Sequence, residues 1–128
     1  TNVDAVIVAL QAGPGKINLI AGGRDKEGDF TRLLPYAKGK VENLVLLGEA
    51  RDKIFEQLGR DIPVVMARGM NEAVHKAYEL AQPGDTVLLS PGCASFDMYR
   101  NFEERGKDFK NIVMTLKNGK GSNTTIGA

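Results

Sequence analysis

The chain has 128 residues, 42% hydrophobic and 26% charged, and its 17 Lys and Arg stand against 16 Asp and Glu for a formal net charge of +1. That length suits one compact domain, and the near-neutral balance excludes the basic excess by which most nucleic-acid-binding modules attract phosphates. No run of about eighteen apolar residues and no basic-then-apolar leader is present, so neither a membrane partner nor a signal peptide is expected.

Thr1-Asn2-Val3-Asp4 opens with residues that cap the free N–H groups of a first helical turn, and predicts a helix over Val3 to Leu10. Gly13-Pro14-Gly15 is a turn. Ile17 to Ala21 is a short apolar run stopped by Gly22-Gly23, the pattern of a buried strand. A charged loop follows over Arg24 to Asp29, then a helix over Phe30 to Ala37 with Leu33, Leu34 and Ala37 at helical spacing. Val41 to Leu47 reads as a second buried strand, and Glu49 to Leu58 as a helix facing inward with Ala50, Ile54, Phe55 and Leu58. Pro63 to Ala67 is a third strand. The stripe Ala73, Val74, Ala77, Tyr78 and Ala81 marks a helix over Met70 to Ala81, which Pro83-Gly84 ends. Thr86 to Leu89 is a fourth strand, and Asn101 to Leu116 is a helix with Phe102, Phe109, Ile112, Val113 and Leu116 inward. The domain is expected over residues 1–117, and the polar stretch 118–128 as a flexible, frayed tail.

Strands thus alternate with helices, and the strands are apolar on both faces. The expected fold is α/β: a Rossmann-like, open, mainly parallel sheet with helices on both faces. In such sheets ligands bind beyond the carboxyl ends of the strands. Those ends carry Gly22 to Phe30, Gly48 to Arg51 and Ser90 to Asp97, which gather glycine, hydroxyls and charge.

The Gly22 to Asp29 loop lets a ligand approach the backbone closely, and Lys26 can meet a carboxylate or phosphate; the competing reading is a solvated charged loop. It is neither a dinucleotide fingerprint, lacking the third spaced glycine, nor a Walker loop, since Glu27 follows Lys26. Cys93 and Ser95 could be nucleophiles only with a base, but the single histidine, His75, lies off the apolar stripe of its helix and is expected to face solvent. Cys93 is better read as a small residue filling a tight turn, and Ser95 as a hydrogen-bonding group for a ligand. One cysteine and one histidine argue against a zinc site, and the lone thiol fits a reducing, cytoplasmic compartment. Lys120-Gly121-Ser122-Asn123-Thr124 has no helix after it to hold a phosphate and is given no function.

These pieces together resemble the C-terminal domain of the Mur ligases, in the branch that adds D-glutamate to UDP-N-acetylmuramoyl-L-alanine. The resemblance is carried by Thr1-Asn2, by Leu19-Ile20-Ala21-Gly22-Gly23-Arg24-Asp25-Lys26 with Asp29-Phe30, and by Val87-Leu88-Leu89-Ser90-Pro91-Gly92-Cys93-Ala94-Ser95-Phe96-Asp97 continuing into Asn101-Phe102-Glu103-Glu104-Arg105-Gly106-Lys107 and Phe109. It implies a ligase of peptidoglycan precursor synthesis that activates a carboxylate with ATP and joins it to the amine of D-glutamate. It also implies that ATP, Mg2+ and the nucleotide sugar are held mainly by upstream domains, so that this chain reads as an excised domain, inactive alone. By the same resemblance, Thr1 and Lys26 would hold the D-glutamate carboxylates. Ser95 would hydrogen-bond the side-chain carboxylate, and the Phe96 backbone and Phe102 would close the pocket, with no catalytic residue and no metal ligand in this domain. The alternatives are a free-standing Rossmann-like nucleotide- or anion-binding module, which predicts a phosphate fingerprint after the first strand, and an interaction domain, which predicts no clustering of Lys and hydroxyls on one rim.

Overall fold

The structure is a computed structural model that describes residues 3–12, 15–22, 29–89 and 125–127, with the backbone alone described for residue 5 and for residues 125–127. Helix α1 (Val3–Ala12) leads into β1 (Ile17–Gly22). Gly15, at φ +64°, sits so close to the Gly84 carbonyl that a Cβ there would come within 2.3 Å of it, so the segment entering β1 packs against the segment entering β4 only because residue 15 is glycine. A 3-10 helix (Phe30–Leu33) runs directly into α2 (Leu34–Ala37), then β2 (Val41–Leu47), α3 (Arg51–Leu58), β3 (Val64–Met66), α4 (Met70–Leu80), β4 (Thr86–Leu89) and β5 (Thr125–Gly127).

One expected helix is split in two. Pro35 has no N–H to give to the Thr31 carbonyl four residues back, so that carbonyl accepts from Leu34 N–H, three residues on. Residues 30–33 therefore wind as a 3-10 helix, and the α-helical turn starts only at Leu34. The expected helix Asn101–Leu116 lies outside the described residues.

The five strands are ordered β3-β2-β1-β4-β5, every neighbouring pair parallel. The register carries one irregularity. Ile17 faces Val41 while Asn18 faces Asn43, so Glu42 is an extra residue in β2. Beyond it, the Asn43 side-chain amide donates to the Asn18 side-chain oxygen at 2.8 Å, with Asn18 fully buried.

Side chains alternate between two cores, as the two-residue period of a strand requires. Ile17, Leu19, Ala21, Leu44, Leu46 and Leu88 face α1, the 3-10 helix, α2 and α3, meeting Val6, Leu10, Phe30, Leu33, Ile54 and Leu58. Ile20, Val45, Leu47, Val87 and Leu89 face α4 through Met70, Ala73, Val74 and Ala77. The first three strands wind in one direction with their helices on one face. Beyond β3 the chain crosses back over α4 on the other face, as right-handed crossovers demand. The expected Rossmann-like, parallel, two-sided α/β sheet is thus the fold observed.

The tail departs from its expected fraying at one place. Residues 125–127 form β5, paired with Thr86–Leu88 of β4. All four residues of β4 are buried, so the backbone groups on its outer edge need partners, and a short strand supplies them. The rest of the stretch 118–128 lies outside the described residues.

Candidate functional site

Strand order makes β1 and β4 the neighbours at which the winding reverses. Open α/β sheets hold ligands at such a switch point, in the crevice beyond the strand carboxyl ends. Ile20 is paired with Leu89, so the chain leaves β1 at Gly22 and β4 after Leu89 side by side. The residues that follow these two strands in sequence, with Lys26 after one and Ser95 after the other, therefore begin from adjacent strand ends at the reversal.

Gly22 shapes this corner. At φ +152° it lies in a backbone region that side-chain-bearing residues rarely enter, and a Cβ there would fall 1.7 Å from the Leu47 carbonyl oxygen. The end of β1 presses on the end of β2 because the residue is glycine. Gly48, at φ +78°, turns β2 off the sheet beside it, and its carbonyl accepts from Arg51 N–H at the start of α3.

The chain returning from the β1 loop is anchored at Asp29 and Phe30. Asp29 caps the 3-10 helix, accepting from the Thr31 N–H at 3.0 Å and from the Thr31 hydroxyl. Those two bonds, the hydroxyl first, hold its carboxyl below the usual aspartate range, and Arg32 and Lys53 add to the effect. Phe30 is buried and its N–H donates to Gln57 Oε1 of α3 at 2.8 Å. The Lys53 ammonium lies 5.9 Å from the centre of its ring.

The start of α1 reaches the same rim. A short link joins Ala12 to Ile17 at the sheet's amino edge, so α1 runs back along the sheet and its first turn lies at the carboxyl side. Asp4 in that turn pairs with Arg32 Nη2 at 2.5 Å. Residue 1 is three positions upstream of Asp4. The tail, in contrast, enters β5 at Thr125 opposite Thr86, on the amino edge away from this rim.

At the outer end of the rim, α4 starts beside β3. Glu72 accepts from the Arg68 N–H at 3.3 Å and pairs with Lys76 Nζ at 3.2 Å, while Lys76 also donates to the Met66 carbonyl. The Lys76 bond, ahead of the others, holds Glu72 below the usual glutamate range. Here the charges satisfy one another and close the edge of the sheet.

Thr1, Lys26, Ser95, Phe96, Phe102 and Cys93 lie outside the described residues. What the structure brings together is the framework they attach to: the end of β1, the end of β4 and the first turn of α1. His75 is half-buried on α4 instead of facing solvent. Gln57, Arg32 and Asp4 belong to the rim's framework and were not singled out from the sequence. A helical glutamine and exposed charges carry no local sign of partners 27 or 28 residues away.

Among the described residues, no three His, Cys, Asp or Glu side chains group so as to hold a metal ion, and no helix is long and apolar enough to cross a membrane.

A family model described as "Mur ligase, glutamate ligase domain" matches residues 1–93, most of the chain. The chain belongs to the Mur ligase glutamate-ligase-domain family. Its relatives in that family are enzymes named UDP-N-acetylmuramoylalanine–D-glutamate ligase. One from Chloroherpeton thalassium is 49% identical over 116 residues, covering 91% of this chain and 25% of the relative. Another, from Alkaliphilus metalliredigens, is 50% identical over 119 residues, covering 91% and 26%. A third, from Chlamydia felis, is 46% identical over 113 residues, covering 88% and 27%. The chain thus spans about a quarter of the length of the relatives it matches. The family match covers the whole described sheet except β5, and with it both strand ends at the switch point.

Proposed function

We propose that this chain is the C-terminal, D-glutamate-docking domain of a cytoplasmic, ATP-dependent ligase that adds D-glutamate to UDP-N-acetylmuramoyl-L-alanine in building the cell-wall precursor. The observation that carries the reading is the adjacency of the β1 and β4 strand ends at the reversal, the points in the chain just before the stretches with Lys26 and Ser95, with the first turn of α1, which follows Thr1, tied to Arg32 beyond β1. The names of the relatives supply the substrate class.

A dicarboxylate amino acid needs a cation and hydroxyl or N–H donors converging on one place. Lys26 and Thr1 take its carboxylates in this reading, Ser95 hydrogen-bonds the side-chain carboxylate, and the Phe96 backbone and Phe102 close the pocket. The domain's contribution is to bind and orient the amine toward an activated acyl group. ATP, Mg2+ and the nucleotide sugar are assigned to regions that the relatives carry outside the matched quarter, and ATP supplies the activation of the acceptor carboxylate.

Titration of the chain with D-glutamate, L-glutamate and ATP, followed by NMR, tests this directly. We expect D-glutamate to bind in about the millimolar range, because fixing a small ligand carries an entropic cost that a few hydrogen bonds only partly offset. Shifts should centre on Thr1, Gly22 to Lys26 and Ser95 to Phe102. Micromolar ATP binding with no response to D-glutamate would favour a nucleotide-binding module instead. In the full-length ligase that carries this domain, Lys26→Ala should lower kcat/KM for D-glutamate by roughly ten- to a hundredfold, the loss of a charge-assisted bond of about 1.5–3 kcal/mol. Unchanged D-glutamate kinetics in a stable variant would reduce the lysine to a solvated loop charge.

A further inference from the structure

We propose that the Glu72–Lys76 pair of α4 caps the outer edge of β3 as one residue of an added strand would, and so keeps two copies of this chain from joining edge to edge. The inference is independent of the D-glutamate reading, since it concerns the edge strand and not the pocket.

The hydrogen bonds of the sheet define which backbone groups face outward. β3 is a terminal strand of the sheet. Leu44 N–H donates to the Pro63 carbonyl and Ala67 N–H to the Leu46 carbonyl, so residues 63, 65 and 67 turn their backbone groups toward β2. Residues 64, 66 and 68 alternate with them and turn theirs away from the sheet. An added parallel strand would set the N–H of one residue on the Met66 carbonyl and the carbonyl of that same residue on the Arg68 N–H. Side chains occupy both positions. Lys76 Nζ donates to the Met66 carbonyl at 3.0 Å, and Glu72 Oε1 accepts from the Arg68 N–H at 3.3 Å. The two side chains meet each other at 3.2 Å, four residues apart on one face of α4.

This edge is one that needs a cap. β1 and β4 are buried along nearly their whole length, whereas every residue of β3 keeps some exposure, Met66 most of all. Val64-Val65-Met66 is apolar and uncharged, and its two valines favour extended backbone. Such an edge is complementary to itself. A second copy, turned about a two-fold axis, brings an identical strand antiparallel to the first, so the excluded occupant is another molecule of this chain. The cap is tied at more than one point. The Glu72 and Lys76 side chains are 33% and 40% exposed, and each bonds to backbone as well as to the other. Pairing at this edge would have to pull the ammonium off the carbonyl and strip both charges of water. Glu72 lies in the first turn of α4, where an acid also serves the helix start. Lys76 lies one turn further on, so its substitution reads the edge.

Analytical ultracentrifugation of the 128-residue chain, with amide exchange followed by NMR, tests the proposal. The wild-type chain should be monomeric, with the Val65 and Ala67 amides exchanging slowly and the Val64 and Met66 amides fast. Lys76→Met keeps the aliphatic stem and removes the donor. It should self-associate roughly tenfold or more tightly, and the Val64 and Met66 amides should gain protection as concentration rises. Lys76→Arg, which still donates, should behave as the wild type. Adding Met66→Lys to Lys76→Met should restore the monomer, because it puts a charge on the edge itself. If Lys76→Met does not fold, Lys76→Gln carries the same comparison. A folded Lys76 variant as monomeric as the wild type would overturn the proposal. So would association that leaves Val64 and Met66 unprotected, which would put the contact on another face, or a wild-type chain already paired through these two residues.

Discussion

Gly22 concentrates several demands in one residue. Its φ of +152° and the 1.7 Å approach that a Cβ would make to the Leu47 carbonyl leave an alanine no relaxed position. Gly22→Ala should destabilise the chain by about 2–4 kcal/mol, the sum of backbone strain and overpacking, read as a lower denaturant midpoint. Wild-type stability in that variant would mean that β1 and β2 separate easily at their ends. The carboxylates make a prediction in pH. Asp29 and Glu72 are held below their ordinary ranges by bonds to Thr31 and to Lys76 with the Arg68 N–H. A carboxyl whose folded pKa is depressed binds its proton more readily when unfolded. Its stabilising contribution is therefore complete above the ordinary carboxylate range, and is lost as pH falls through that range to the depressed value. Side-chain NMR titration should place both midpoints below that range. Thr31→Val, which removes the hydroxyl but keeps the N–H bond, should move Asp29 part of the way back. No movement in that variant would put the cause elsewhere.

Among the elements, α3 separates burial from exposure most sharply. Leu58 is 1% exposed and Phe55 is 50% exposed on the same two turns. Leu58→Ala should cost about 2–5 kcal/mol, and Phe55→Ala about 0.5 kcal/mol or less, in the same unfolding assay. The sequence pattern had placed both inward, since Phe55 completes an apolar face. Burial was instead decided by how far β1, β2 and the 3-10 helix extend beneath α3. The bulge in β2 is a second case. The amide pair Asn18–Asn43 lies immediately past it, inside the sheet. Asn43→Leu leaves the buried Asn18 side chain without its donor and should cost about 1–3 kcal/mol. Asn18→Leu with Asn43→Leu should recover part of that loss, because removing both partners leaves no orphan. A double variant weaker than the single one would mean that the amides are needed to hold the register.

For the whole molecule, element type and order were legible along the chain. Short apolar runs closed by Gly22 and Gly48 mark parallel strands, and the stripe from Ala73 to Tyr78 marks α4, because both signals are local. The same local reading named the rim loops, since any parallel strand must end there. The family, too, was legible from the motif around Gly22 and the block that begins at Val87, and the match to residues 1–93 bears it out. Strand order was not written in any one segment. It follows from which strand pairs with which over tens of residues, and it alone puts the ends of β1 and β4 together and reverses the winding between them. The split at Pro35 depended on one missing N–H, and β5 on the unpaired edge of a buried strand. Phe30 on Gln57 and Asp4 on Arg32 depended on side chains meeting across 27 and 28 residues. By itself the sequence determined what the pieces are and which family they belong to, because propensity, turns and motifs act between near neighbours. Only the tertiary structure decided which strand ends share the rim and what holds α1 beside them, because those depend on contacts that exist only once the sheet has closed.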